Sequence, residues 1–195
     1  IGVLECQQGE ICLMGKDLHK HRKSVRSKLG YVPQNLSFYE ELSPIQNLQY
    51  FGAMMGLSPA KIASRTGELM KILGLEQVAK KPVKQFSGGM KRRVNLAIGV
   101  VHQPEVLFLD EPTVGVDVQT RHAIITYLRE LNENGTTLFY TSHHLSEAQE
   151  LCETIALMDD GKIIAEGNLN SILEDYRQNT LEQLFLKLTG KQYRD

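Results

Sequence analysis

The chain has 195 residues, of which 42% are hydrophobic and 23% charged; that is one large domain or two small ones with a real core, which excludes wholesale disorder, collagen and coiled coil. Its 22 basic and 23 acidic residues leave a formal net charge of −1, so there is no global electrostatic case for nucleic acid or an anionic membrane surface. No apolar stretch reaches the roughly 18–20 residues that span a bilayer. Cys6, Cys12 and Cys152 have no CxxC spacing, which argues against a zinc site or disulfide framework and for a reducing compartment.

The chain opens inside an apolar run, Ile1-Gly2-Val3-Leu4, with no signal-peptide n-region, as if cut rather than begun. Ile11-Cys12-Leu13-Met14-Gly15 predicts a short strand closed by glycine, and Leu29–Val32 a second strand ended by Pro33-Gln34. Ser43-Pro44 and Ser58-Pro59 each place an N-cap before a proline at the first helical position. Ile62, Leu69, Ile72 and Leu73 carry the second of these helices to a stop at Gly74. Residues 44–102 therefore read as almost all helix.

After Pro104 the pattern changes. Val106-Leu107-Phe108-Leu109 is an apolar run bounded by turn residues, as expected of a parallel strand buried on both faces. A helix capped by Asp117 follows, with Ile124, Leu128 and Leu131 on one face and Gly135 after it. Residues 136–142 read as a strand, Leu145, Ala148 and Leu151 as a short helix, and residues 154–158 and 162–165 as a hairpin turning at Asp160-Gly161. Leu181, Leu184, Phe185 and Leu188 recur at helical spacing and predict a tail helix packed on its own domain. Alternating strands and helices imply an α/β core with an inserted helical segment.

Ligands of open α/β sheets bind beyond the carboxyl ends of the strands. Three strands end there in polar residues: Gln34, Asp110-Glu111 and Thr141-Ser142-His143. Adjacent carboxylates at the mouth of a buried strand repel, and a divalent cation would offset that cost. One carboxylate would then hold Mg²⁺ and the other a water; a solvated strand end remains the alternative. Ser87-Gly88-Gly89 opens a helix whose first turn carries Lys91, Arg92 and Arg93, against the positive end of its dipole. An anion would relieve that conflict, and two glycines permit close approach; otherwise the cations face water or local acids.

Five segments in order resemble the nucleotide-binding subunit of ATP-binding cassette (ABC) transporters. They are Tyr31-Val32-Pro33-Gln34, Phe86-Ser87-Gly88-Gly89-Met90, the run from Val106 through Asp110-Glu111-Pro112-Thr113, Val114-Gly115-Val116-Asp117, and Thr141-Ser142-His143. They look like the Q-loop, signature, Walker B, D-loop and switch histidine. Met90 stands where the family commonly has Gln, and Val116 where it usually has Leu. The tail Leu181-Glu182-Gln183-Leu184-Phe185-Leu186-Lys187-Leu188-Thr189-Gly190 resembles the ending of subunits serving ABC-2 type exporters, which implies export of a drug, antibiotic, polysaccharide or ion.

The resemblance implies a P-loop NTPase core with a mainly parallel sheet and a helical insertion, with core parts at residues 1–40 and 103–170, a signature subdomain at 41–102 and a helical tail at 171–195. It implies ATP and Mg²⁺, with Asp110 and Gln34 toward the metal, and Glu111, His143 and Gln34 toward the γ-phosphate and attacking water. Ser87, Gly88 and Gly89 would hold ATP bound mainly to a second ATPase subunit, in a homodimer or heterodimer, and Asp117 would cross that interface. The partner would be a transmembrane permease, the location cytoplasmic on the inner face of the cell membrane, and no nucleic acid is expected.

The family's phosphate loop, Gly-x-x-x-x-Gly-Lys-[Ser/Thr], is missing: Gly15-Lys16, Gly161-Lys162 and Gly190-Lys191 lack the upstream glycine and following hydroxyl. The expectation is therefore an N-terminally truncated domain that alone binds ATP poorly and hydrolyses it negligibly. The other readings are a soluble ABC ATPase acting on DNA or ribosomes, whose usual coiled coils or tandem cassette are not visible, and a non-catalytic remnant, against which Glu111 and His143 both stand.

Overall fold

The computed structural model describes residues 8–190 and shows a mixed α/β chain divided into two compact units, one ending at Phe139 and the other starting at Tyr140. The initial run Ile1-Gly2-Val3-Leu4 and Cys6 lie outside the described residues.

In the first unit, the segment expected as one strand is a small hairpin: β1 (Cys12–Leu13) pairs antiparallel with β2 (Lys16–Asp17). Met14 and Gly15 take positive φ, 53° and 69°, and turn the chain back where one strand was expected to end. A short helix α1 (Arg22–Arg26) follows, without a sequence signal that predicted it. Strand β3 (Leu29–Val32) lies parallel to β4 (Val106–Asp110), with Leu29 opposite Val106 and Val32 opposite Leu109. The third strand in order is β5 (Thr137–Thr141), next to β4. Val106, Leu107 and Leu109 are buried, and Phe108 stacks on Phe139 at 4.9 Å between ring centroids. The expected core strand is thus in place, flanked by parallel β3.

Between β3 and β4 come three helices, α2 (Pro44–Met54), α3 (Pro59–Ile72) and α4 (Gly88–Val100), and two single 3₁₀ turns. Their starts follow the capping logic. Ser43 caps α2 through a reciprocal box with Gln46, Ser58 accepts from the Lys61 N–H, and Ser87 accepts from the Met90 N–H. Gly74 turns at φ 63° just past α3.

Helix α4 lies against β3 unusually closely. A Cβ on Gly99 would stand 2.5 Å from Val32 Cγ2, and one on Gly30 would stand 2.5 Å from the Gly99 carbonyl. The missing side chains of Gly30 and Gly99 therefore permit the close approach of the helix that opens with Ser87 to the strand that delivers Gln34. After β4, α5 (Val118–Glu133) buries Ile124, Ile125, Tyr127 and Leu128.

In the second unit, α6 (Leu145–Leu151) precedes a hairpin of β6 (Thr154–Asp159) and β7 (Lys162–Asn168), then α7 (Leu169–Asp175) and α8 (Leu181–Thr189). Asp160 and Gly161 both take positive φ, as a two-residue hairpin turn requires. The tail helix packs within this unit: Leu181 and Leu184 join Ile155, Leu157, Ala165 and Ile172 in one buried cluster. Among the described residues, no helix is long and apolar enough to cross a membrane.

Candidate functional site

The parallel register brings the ends of β3 and β4 to the same edge of the sheet. Pro33 ends the first strand and exposes Gln34; β4 ends at half-buried Asp110, followed by half-buried Glu111. The Gln34 Nε2 donates to Glu111 Oε2 at 2.8 Å. Glu111 takes φ +46°, a left-handed conformation that costs free energy in a residue with a side chain. That turn sits directly after the β4 strand, where the Glu111 carboxylate meets the Gln34 amide.

Both loops are fastened by one buried cation. From the first turns of α4, Arg92 Nη1 donates to the carbonyls of Gln34 at 2.8 Å and Pro33 at 3.3 Å, and Nη2 donates to the Val114 carbonyl at 3.4 Å. Burial lowers the Arg92 pKa, and the Glu111 charge pulls it back up. Asn95, one turn on, donates through Nδ2 to the Pro33 carbonyl at 3.1 Å and accepts through Oδ1 from the Ser37 N–H.

These contacts decide between the two readings of the Lys91-Arg92-Arg93 run. Lys91 pairs with Glu40 at 2.7 Å, Arg92 serves the two loops, and Arg93 Nη1 donates to the Leu73 carbonyl at 2.9 Å. Their conflict with the helix dipole is met by local acceptors, so it supplies no argument for an anion. What remains at this helix start is Ser87, Gly88 and Gly89. A Cβ on Gly88 would meet nothing within 4 Å, whereas one on Gly89 would stand 2.8 Å from Thr120 Oγ1 and 3.3 Å from Asp117 Oδ2. Gly89 thus lets the start of α4 meet the start of α5.

Asp117 is the N-cap of α5. Its Oδ1 accepts from the Thr120 N–H at 2.9 Å and its Oδ2 from the Thr120 hydroxyl at 2.8 Å. The Thr120 backbone and hydroxyl bonds hold its carboxyl below the usual range. In the second unit, exposed His143 follows β5 with its ring 4.0 Å from that of His144, and Ser142 Oγ accepts from the His144 N–H at 2.9 Å.

The first unit therefore holds two groups of expected site residues, Gln34 with Glu111, and Ser87 to Gly89 with Asp117. Arg92 and Asn95 were not singled out as organisers of the first group. The available signal was spacing: Arg92, Asn95 and Gly99 recur at i, i+3 and i+7 on a face that is otherwise apolar. Among the described residues, no group of three His, Cys, Asp or Glu could cage a metal ion. One or two carboxylates suit Mg²⁺ only where substrate phosphates supply further ligands.

Residues 1–114 match the family described as ABC transporter. The chain belongs to the ABC transporter family. A solved "Structure of ATP binding subunit of ABC transporter" superposes on this ABC chain with a TM-score of 0.87 at 28% identity, covering 97% of this chain and 80% of that one. The chain is 37% identical over 183 residues to the linearmycin resistance ATP-binding protein LnrL of Bacillus subtilis (strain 168), covering 94% of this chain and 59% of that protein. It is 37% identical over 170 residues to the daunorubicin resistance ATP-binding protein DrrA3 of Streptomyces coeruleorubidus, covering 87% of this chain and 54% of that protein. The ABC chain thus spans little more than half the length of these curated relatives.

Proposed function

We propose that this chain is the ATP-hydrolysing part of an ABC exporter, coupling ATP binding and hydrolysis to movement of a substrate through a separate transmembrane permease. The Gln34–Glu111 hydrogen bond carries the reading, because it places an amide and a carboxylate together at the strand edge where a nucleotide would be met. The names of LnrL and DrrA3, both resistance ATP-binding proteins, favour export over action on DNA or ribosomes.

In this reading Asp110 holds Mg²⁺, directly or through water, with Gln34 as a second contact. Bound Mg²⁺ supplies charge neutralisation on the phosphates. Glu111 orients the attacking water and accepts its proton, and His143 contacts the γ-phosphate. Ser87, Gly88 and Gly89 offer backbone N–H groups to ATP held mainly by a second ATPase subunit, and Asp117 lies toward that subunit. The assembly works from the inner face of the cell membrane. The domain reading of core parts at residues 1–40 and 103–170, a signature subdomain at 41–102 and a tail at 171–195 belongs to the same proposal.

The 195 residues contain no Gly-x-x-x-x-Gly-Lys-[Ser/Thr], the loop that cradles phosphates. They are therefore proposed to bind Mg-ATP weakly by themselves. The test compares ATP hydrolysis and ATP binding for the native polypeptide assembled with its permease, in wild type and Glu111→Gln. Hydrolysis lost with binding retained supports the reading; undiminished hydrolysis overturns it. Micromolar Mg-ATP affinity of the 195 residues alone would overturn the claim of weak binding.

A further inference from the structure

The near-neutral charge of the chain conceals a strongly asymmetric segment. Between Lys16 and Lys28 lie six basic residues, Lys16, Lys20, Arg22, Lys23, Arg26 and Lys28, with Asp17 as the sole acid. The rest of the chain is therefore net acidic. All six cations are exposed. Lys20 pairs with Asp17 and Lys28 with Glu105; among the described residues, Lys16, Arg22, Lys23 and Arg26 have no ion-pair partner.

The fold presents these charges from a fixed base. Leu18 and Val25 point inward and join Leu29 and Val106 in one buried cluster. Val25 anchors α1 with 0% exposure, so Arg22, Lys23 and Arg26 are held at the surface. The neighbouring β1–β2 hairpin turns at Met14-Gly15, and Ile11 and Met14 are 41% and 37% exposed. Exposed Met14 at the hairpin turn and exposed Ile11 at its base stand next in sequence to the row of cations, an amphipathic segment that is not a helix.

We propose that this surface, Ile11 and Met14 with the cations from Lys16 to Arg26, docks on the anionic phospholipid headgroups of a membrane. The cations match headgroup phosphates, and the apolar hairpin residues match the headgroup–acyl boundary, as in peripheral anchors that combine both terms. A nucleic acid backbone would satisfy the cations but would offer no apolar layer to Ile11 and Met14. The choice of a membrane rests on the proposed partnership with a permease, which would bring the chain to a lipid surface. The contact would add a second attachment, independent of the permease, and would weaken as salt shortens the reach of the charges.

The test is co-sedimentation of the full chain with vesicles, without ATP or permease, so that failure here is distinct from failure of the ATPase reading. Vesicles of phosphatidylcholine are compared with vesicles containing about one-third phosphatidylglycerol, an anionic lipid. The expected result is capture only by the anionic vesicles and release by high salt. Arg22→Glu/Lys23→Glu/Arg26→Glu should weaken capture by about tenfold or more. Met14→Ser should weaken it less, and Lys80→Glu/Lys81→Glu, exposed cations elsewhere, should leave it unchanged. Far-UV circular dichroism confirms that the variants fold. Equal capture by neutral vesicles, wild-type capture of the triple variant, or retention on duplex DNA without capture by vesicles would each overturn the proposal.

Discussion

Gln34 and Glu111, 77 positions apart in sequence, meet through a 2.8 Å hydrogen bond from the amide Nε2 to the carboxylate Oε2. The bond ties the Glu111 carboxylate to the strand end that carries Gln34. In the proposed chemistry Glu111 handles the proton and Gln34 positions the carboxylate. Glu111→Gln should lower kcat by roughly 10²–10⁴-fold in the assembled transporter, the usual contribution of a positioned base. Gln34→Ala should lower it less, with ATP affinity little changed. Steady-state hydrolysis with nucleotide-binding isotherms checks both; a larger loss in Gln34→Ala than in Glu111→Gln would reverse the roles.

Arg92 should matter to stability as well as to the site. Its guanidinium donates to the Pro33, Gln34 and Val114 carbonyls, and its side chain is buried. Arg92→Ala strands these acceptors and should cost about 2–3 kcal/mol, read from urea unfolding. Arg92→Lys should recover less than half of that, because one ammonium cannot reproduce a fork aimed at two loops. Full recovery by lysine would show that charge, not fork geometry, fastens the loops.

What the sequence made legible divides by range. Ser43, Ser58, Ser87 and Asp117 all cap helices as expected, because a cap is satisfied within three residues. The β3 and β4 strands were equally readable from local apolar runs. β1 falls inside the strand expected over residues 11–15, but its two-residue partner β2 and the five-residue α1 were not readable, since elements so short carry no period. Residue types at the strand ends pointed to Gln34, Asp110 and Glu111, but their spacing could not show that Gln34 bonds Glu111. That contact depends on Val32 lying opposite Leu109. For the Lys91-Arg92-Arg93 run the sequence left an anion and local partners both open, because its acceptors Glu40, Pro33, Gln34, Val114 and Leu73 come from other segments.

Gly30 and Gly99 should tolerate no side chain. An alanine at position 99 gains intrinsic helix propensity of up to about 1 kcal/mol over glycine. Against this, its Cβ would stand 2.5 Å from Val32 Cγ2 and 3.1 Å from the Tyr31 carbonyl. Overpacking of this kind costs about 1–3 kcal/mol, so Gly99→Ala should be net destabilising. Gly30→Ala should be worse, since its nearest neighbour is the Gly99 carbonyl, and backbone cannot rotate aside. Because both alanines would press on one gap, the double variant should cost less than the two singles added. Chemical denaturation of the three variants checks the order.

His102 should make the chain acid-sensitive. Its ring is buried just beyond the end of α4; Nε2 donates to the Leu29 carbonyl at 2.9 Å, and Nδ1 has no hydrogen-bond partner. A second proton would place a charge with no acceptor in the interior. Burial accordingly pushes the His102 pKa below 6.5, against a smaller upward pull from the Leu29 carbonyl. Well above pH 6.5 the imidazole is neutral in both folded and unfolded chains and contributes no pH slope. Below it, the unfolded chain takes up a proton that the folded chain refuses, and stability falls as pH falls toward the folded pKa. One such group gives a slope of at most about 1.4 kcal/mol per pH unit. His102→Gln keeps an N–H for Leu29 but cannot titrate, so its stability should lie below wild type at neutral pH and decline less steeply on acidification. Urea midpoints of both proteins across the mildly acidic range decide the matter: parallel curves would mean that the acid sensitivity arises elsewhere.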